Sequence, residues 1–183
     1  MKSINKISMV VLKFLEVAHW IGSVSMIVIF ALSLANESVI RNIVEMSGLE
    51  SNAALITYGF EVSVIDKFGA LNLKAVALFA LGSVFIMALM AMVFRNAYLI
   101  IKKSKNITPF QKENIRMVRE IGIFSIAIPI IALIISCIIR LVINSGIETS
   151  VRFDGLIIGI VALALTNVFS YGIELQNDVD GLL

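Results

Sequence analysis

A chain of 183 residues that is 59% apolar and 15% charged, with a mean hydropathy of +0.98, is not a water-soluble globule. Ordinary domains run at about 45–50% apolar and about 25% charged, and a domain of this size keeps too much surface in water to hide the excess. The net charge of +2 gives no footprint for direct nucleic-acid binding; the single Cys137 excludes an internal disulfide, and with the single His19 it offers no metal-ligand cluster.

The elements follow from where charge is missing. A membrane crossing needs about 20 mostly apolar residues to span about 30 Å of hydrocarbon. Four windows meet this: Val17–Ala35, Ala75–Phe94, Ile121–Ile139 and Gly155–Ile173 hold no Asp, Glu, Lys or Arg. Only helices satisfy their own backbone groups in lipid as single segments. The expected fold is therefore all-α, an integral membrane four-helix bundle in a single transmembrane domain. Its spans are placed at about 10–35, 74–101, 119–141 and 154–175. Lys2, Lys6 and Lys13 precede the first run like the start of a signal peptide. The run outlasts the roughly 7–15 residues of a signal core, and it is read as a retained span. Near its start, Glu16, His19 and Trp20 form either an interfacial anchor or a proton switch.

The 36–73 segment is too long for a plain connector. Ser38 is a candidate cap for a short helix bearing Val39, Ile40, Ile43 and Val44, which Gly48 would stop. Ile56, Tyr58, Phe60, Val62 and Val64 then alternate with Thr57, Gly59, Glu61 and Ser63, a period of two that predicts a strand. A small cap, part helix and part extended, is expected here. It is either a lid over the helix ends or a peptide-sensing surface.

Lys102, Lys103, Lys105, Lys112, Arg116 and Arg119 crowd the 102–118 connection and its edge. With Arg95 and the three amino-terminal lysines they put ten basic residues on one side, against five on the other. The positive-inside rule then places both termini and this connection in the cytoplasm, and the 36–73 and 140–154 loops outside. Thr108, Pro109 and Gln111 form a capping-box start for a helix running on into the third span, where Pro129 should kink it. Lys112, Arg116 and Arg119 share one helical face, and Glu174 and Asp178 share another beyond the fourth span. These opposite charges meet the same membrane surface, so they are expected either to pair between helices or to bind a partner; headgroup contacts are the plainer alternative. Within the fourth span Gly155 and Gly159 form a close-packing pair, internal or at a homo-oligomer face, and Asn167 is expected to hydrogen-bond another helix or to line a path.

Pro109-Phe110-Gln111-Lys112-Glu113-Asn114-Ile115-Arg116 with Arg119-Glu120-Ile121-Gly122, and the ending Val168-Phe169-Ser170-Tyr171-Gly172-Ile173-Glu174-Leu175-Gln176-Asn177-Asp178-Val179-Asp180, resemble the two signatures of a bacterial membrane family catalogued as domain of unknown function 2975. The resemblance is specific over 108–183. Met117 and Glu120 depart from positions that are often basic in the family, and Asn167 and Ser170 from positions often acidic and arginine. The resemblance implies the bacterial plasma membrane, no enzymatic activity, and a cytoplasmic helix-turn-helix DNA-binding regulator as partner.

The function classes then separate. No nucleophile–base pair, HExxH motif or paired intramembrane carboxylates point to an enzyme. No ionisable residue deep in a span and no paired broken helices point to ion-coupled transport. A regulatory or scaffolding membrane protein is the leading expectation. Immunity against, or sensing of, an external peptide is the second, and a small transporter or channel the third.

Overall fold

The computed structural model describes residues 2–46, 54–66, 69–103, 112–143 and 146–180. Among the described residues, five helices and three short strands run in the order α1 (Lys2–Ala35), α2 (Glu37–Met46), β1 (Ala54–Thr57), β2 (Phe60–Ser63), α3 (Leu73–Lys103), α4 (Lys112–Val142), β3 (Thr149–Val151) and α5 (Asp154–Asp180). Four of the helices are long and apolar enough to cross a membrane, the shortest candidate span being the 22 residues Asp154–Leu175. At 1.5 Å per residue that reaches about 33 Å, enough for the hydrocarbon layer.

The polarity of α1 is reversed relative to a helix in water. Its buried side chains are Glu16, Ser23 and Ser33, while Phe14, Ile21, Val24, Ile27 and Leu34 are exposed. Only 6% of its span is buried, against 44% for α3 and 39% for α4. Water would penalise each exposed apolar side chain by about 1.5–3 kcal/mol; hydrocarbon does not. The reversal is what a lipid-facing helix requires, and the chain is a multi-pass membrane protein.

The fold divides into two compact units. One comprises residues 20–88 and 128–154. In it, Asn36 ends α1 by donating its N–H to the Leu32 carbonyl and stands immediately before α2, and the Ser38 hydroxyl donates to its Oδ1 at 2.7 Å. The junction residue is thus Asn36 rather than the expected Ser38, which lies inside α2. Gly48 lies outside the described residues. The alternating stretch is a hairpin instead of one strand. Tyr58 (φ 43°) and Gly59 (φ 78°) make a two-residue turn between Thr57 and Phe60, and positive φ at both positions matches the twist of the flanking strands. Phe60, Val62 and Val64 are fully buried as alternation predicts, but Ile56, on the far side of the turn, is exposed. β3, which no periodicity in the 140–154 loop reveals, pairs antiparallel with β2 (Phe60↔Val151, Val62↔Thr149). The sheet, ordered β1-β2-β3, rests on the helices through Phe60. Its ring stacks on Phe79 at 5.4 Å, and Gly82 leaves room for it and for Ile135. Asn72 starts α3 by accepting the Ala75 N–H on its Oδ1.

The second unit comprises residues 1–19, 89–127 and 155–183. Its core includes Ala91, Ile115, Met117, Val118 and Ala162. Here α4 and α5 approach at glycines. A Cβ on Gly159 would lie 2.8 Å from the Gly122 carbonyl oxygen, and one on Gly122 would lie 3.0 Å from that of Gly159. Helix α4 runs without a break through Pro129, whose missing N–H leaves the Ser125 carbonyl without its usual helical donor.

Candidate functional site

The charged side chains expected to carry function gather in the second unit, at the start of α4 and the ends of α1 and α3. Residues 104–111, with the Thr108–Pro109–Gln111 start, lie outside the described part. From Lys112 the helix separates two faces. Asn114, Ile115, Met117 and Val118 are buried, and Lys112, Glu113, Arg116 and Arg119 are exposed. The basic stripe therefore occupies a solvent or headgroup face, as its spacing implies.

One of its ion pairs is local and one reaches α3. Arg116 Nε reaches Glu120 Oε1 at 3.2 Å, one turn along the same helix, and Lys103 of α3 pairs with Glu113. Among the described residues no ion pair joins Lys112, Arg116 or Arg119 to Glu174, and the Asp178 side chain lies outside them. The buried tie between α3 and α4 comes from elsewhere. Asn96 of α3, only 5% exposed, donates from Nδ2 to Glu120 Oε2 at 2.9 Å. Glu120 thus carries a guanidinium on one oxygen and a buried amide on the other. An amide donor to a carboxylate is worth about 1.5–3 kcal/mol, whereas exposed pairs such as Arg116–Glu120 contribute about 0–1. Asn96 was invisible to charge reading because it is neutral; the i, i+4 spacing of Arg116 and Glu120 was the available signal.

On α1, Glu16 is buried and accepts from Lys13 Nζ at 3.0 Å. Lys13 and Lys102 both lie over the Tyr98 ring, 5.6 and 5.7 Å from its centroid. A ring flanked by two ammoniums is a cation–π anchor for the ends of α1 and α3. His19 donates Nδ1–H to the Leu15 carbonyl at 2.6 Å and lies 5.0 Å from Phe94, centroid to centroid. Trp20 is exposed.

The helix-packing residues are redistributed. Gly159 is buried against Gly122 and Ile126, so its seam partner is a glycine of α4. Gly155 is half-buried. Asn167 makes no interhelical hydrogen bond among the described residues. It is exposed beside Val168, Tyr171, Gly172 and Leu175, along an apolar groove. The buried polar residue one position earlier, Thr166, satisfies itself on the Ala162 carbonyl at 3.0 Å.

Among the described residues no three His, Cys, Asp or Glu side chains gather as metal ligands. The arrangement can hold charge at a membrane boundary and present a cationic helix face. No family model, curated protein or solved structure matches the chain.

Proposed function

We infer that this protein is a non-catalytic regulator or scaffold of the bacterial plasma membrane, which holds a cytoplasmic DNA-binding regulator of the helix-turn-helix type at its basic face. The observation that carries the reading is the exposed stripe on α4. Arg116 is partly neutralised by Glu120, but Lys112 and Arg119 have no ion-pair partner among the described residues. The positive-inside bias favours the cytoplasm for that stripe and both termini, and the kind of partner is what the resemblance read in residues 108–183 implies. Glu174 and Asp178 would extend the docking face. The test is purification of the tagged chain from native membranes. A helix-turn-helix protein should co-purify and be lost with Lys112→Glu/Arg119→Glu; retention of the same partner by the double variant would overturn the reading.

A second reading has its own support: the β-hairpin exposes Ile56 and Tyr58 at its tip, as a surface for an external peptide would. Protection of cells from an added peptide, abolished by Ile56→Asp and unaffected by the charge reversal, would favour immunity or sensing over the regulator reading.

A further inference from the structure

We propose that the carboxyl end of α4 and β3 form a binding site for the phosphate headgroup of an anionic membrane phospholipid. A cavity of about 150 Å³ opens there, lined by Leu133, Ser136, Cys137 and Arg140 of α4 and by Thr149, Val151 and Phe153. Its chemistry is two-sided. Leu133 and Phe153 are exposed apolar side chains beside the span, suited to an acyl chain. Arg140, in the last turn of the helix, supplies the charge.

The guanidinium is held in place but not neutralised. Its Nε donates to Thr149 Oγ1 at 3.2 Å and its Nη2 to the Thr149 carbonyl at 3.3 Å, both uncharged acceptors. Among the described residues it has no carboxylate partner, whereas nearby Arg152 is paired with Asp154 at 2.8 Å. The two bonds to β3 use one edge of the planar group and leave further donors for a ligand. A second observation points to the same place. Ser136 is 6% exposed, and its buried hydroxyl has no hydrogen-bond partner. A fixed guanidinium, an unsatisfied hydroxyl and an apolar wall at the edge of a membrane span match a phosphodiester with its glycerol and acyl chain, and guanidinium geometry favours phosphate oxygens over a point anion. The absence of a protein counter-charge selects a lipid with net negative charge.

The test is titration of the full-length, detergent-purified protein with phosphatidylglycerol, phosphatidylcholine and inorganic phosphate, read by native mass spectrometry. One saturable phosphatidylglycerol is expected, with phosphatidylcholine weaker and inorganic phosphate unable to displace it. R140Q should weaken that binding by about tenfold or more, as loss of a charge-assisted contact does. S136A, which removes one oxygen and leaves the core in place, should weaken it several-fold with unchanged helix content. Equal phosphatidylglycerol binding by wild type, R140Q and S136A overturns the proposal. So does displacement by inorganic phosphate, which would make this a free-anion site.

Discussion

Gly59 sits at φ 78°, where a Cβ would meet the Arg152 Cβ at 2.8 Å, and its carbonyl accepts the Arg152 N–H. Gly59→Ala should therefore lower stability by about 1–3 kcal/mol, read as a lower melting temperature in detergent. Its neighbour Tyr58 is exposed at the hairpin turn, yet the desolvation it retains there pushes its ionisation above the ordinary tyrosine value. The phenol is neutral in both folded and unfolded chains below pH about 10. Above that, the unfolded chain ionises first, so Tyr58 contributes stability that is lost as pH rises through the folded-state value. Tyr58→Phe should flatten the alkaline fall in melting temperature; an unchanged slope would contradict the desolvation of the phenol. Asn96→Leu strips a buried donor from Glu120 and should cost about 1–3 kcal/mol, measured by the same melt. Of these three residues only Gly59 carried a signal in the sequence, a turn-forming glycine inside an alternating run. Asn96 and Tyr58 acquire their roles from partners or burial that no local pattern encodes.

At the level of elements, the α4–α5 seam depends on two backbones touching. Gly159→Val would drive side-chain carbons into the Gly122 carbonyl and Ile126, an overpacking expected to cost about 1–3 kcal/mol and to show as early melting or loss of monodispersity in detergent. The Gly155/Gly159 spacing drew attention to the correct helix. The true mate, Gly122, lies on another helix and has no small residue four positions to either side. The four spans were legible because hydrocarbon thickness acts on local composition, one run at a time. The strands were half legible. Period two located Phe60, Val62 and Val64 on a buried face, yet the same alternation ran across the Tyr58–Gly59 turn and concealed the hairpin. β3 was missed because three residues, Thr149 to Val151, are too few for any period. Pairing with β2 is what defines it.

For the whole molecule, the charge bias and the sheet bear on topology independently. The β2–β3 pairing requires the segment before α3 and the segment before α5 to lie on the same side of the bilayer, as an even spacing of two spans demands. Which side that is rests on the ten-to-five distribution of basic residues. In a Cys137→Ser background, a membrane-impermeant maleimide on intact cells should label Arg41→Cys and spare Lys105→Cys; the opposite pattern would invert the molecule. The polar tie between α3 and α4 went unforeseen for a related reason. Charge counting weighs full charges, and the contact that matters pairs a neutral amide with a carboxylate.

The sheet also constrains biogenesis. Its first two strands leave the ribosome ahead of α3 and α4, and its third follows them. The sheet cannot be completed until both intervening helices have been threaded into the bilayer. Until then β2 presents an unpaired edge on one side of the membrane. Any delay in inserting α4 therefore prolongs the interval in which a quality-control protease or a folding factor can find that edge, and maturation of the cap becomes a timer for the insertion of the rest.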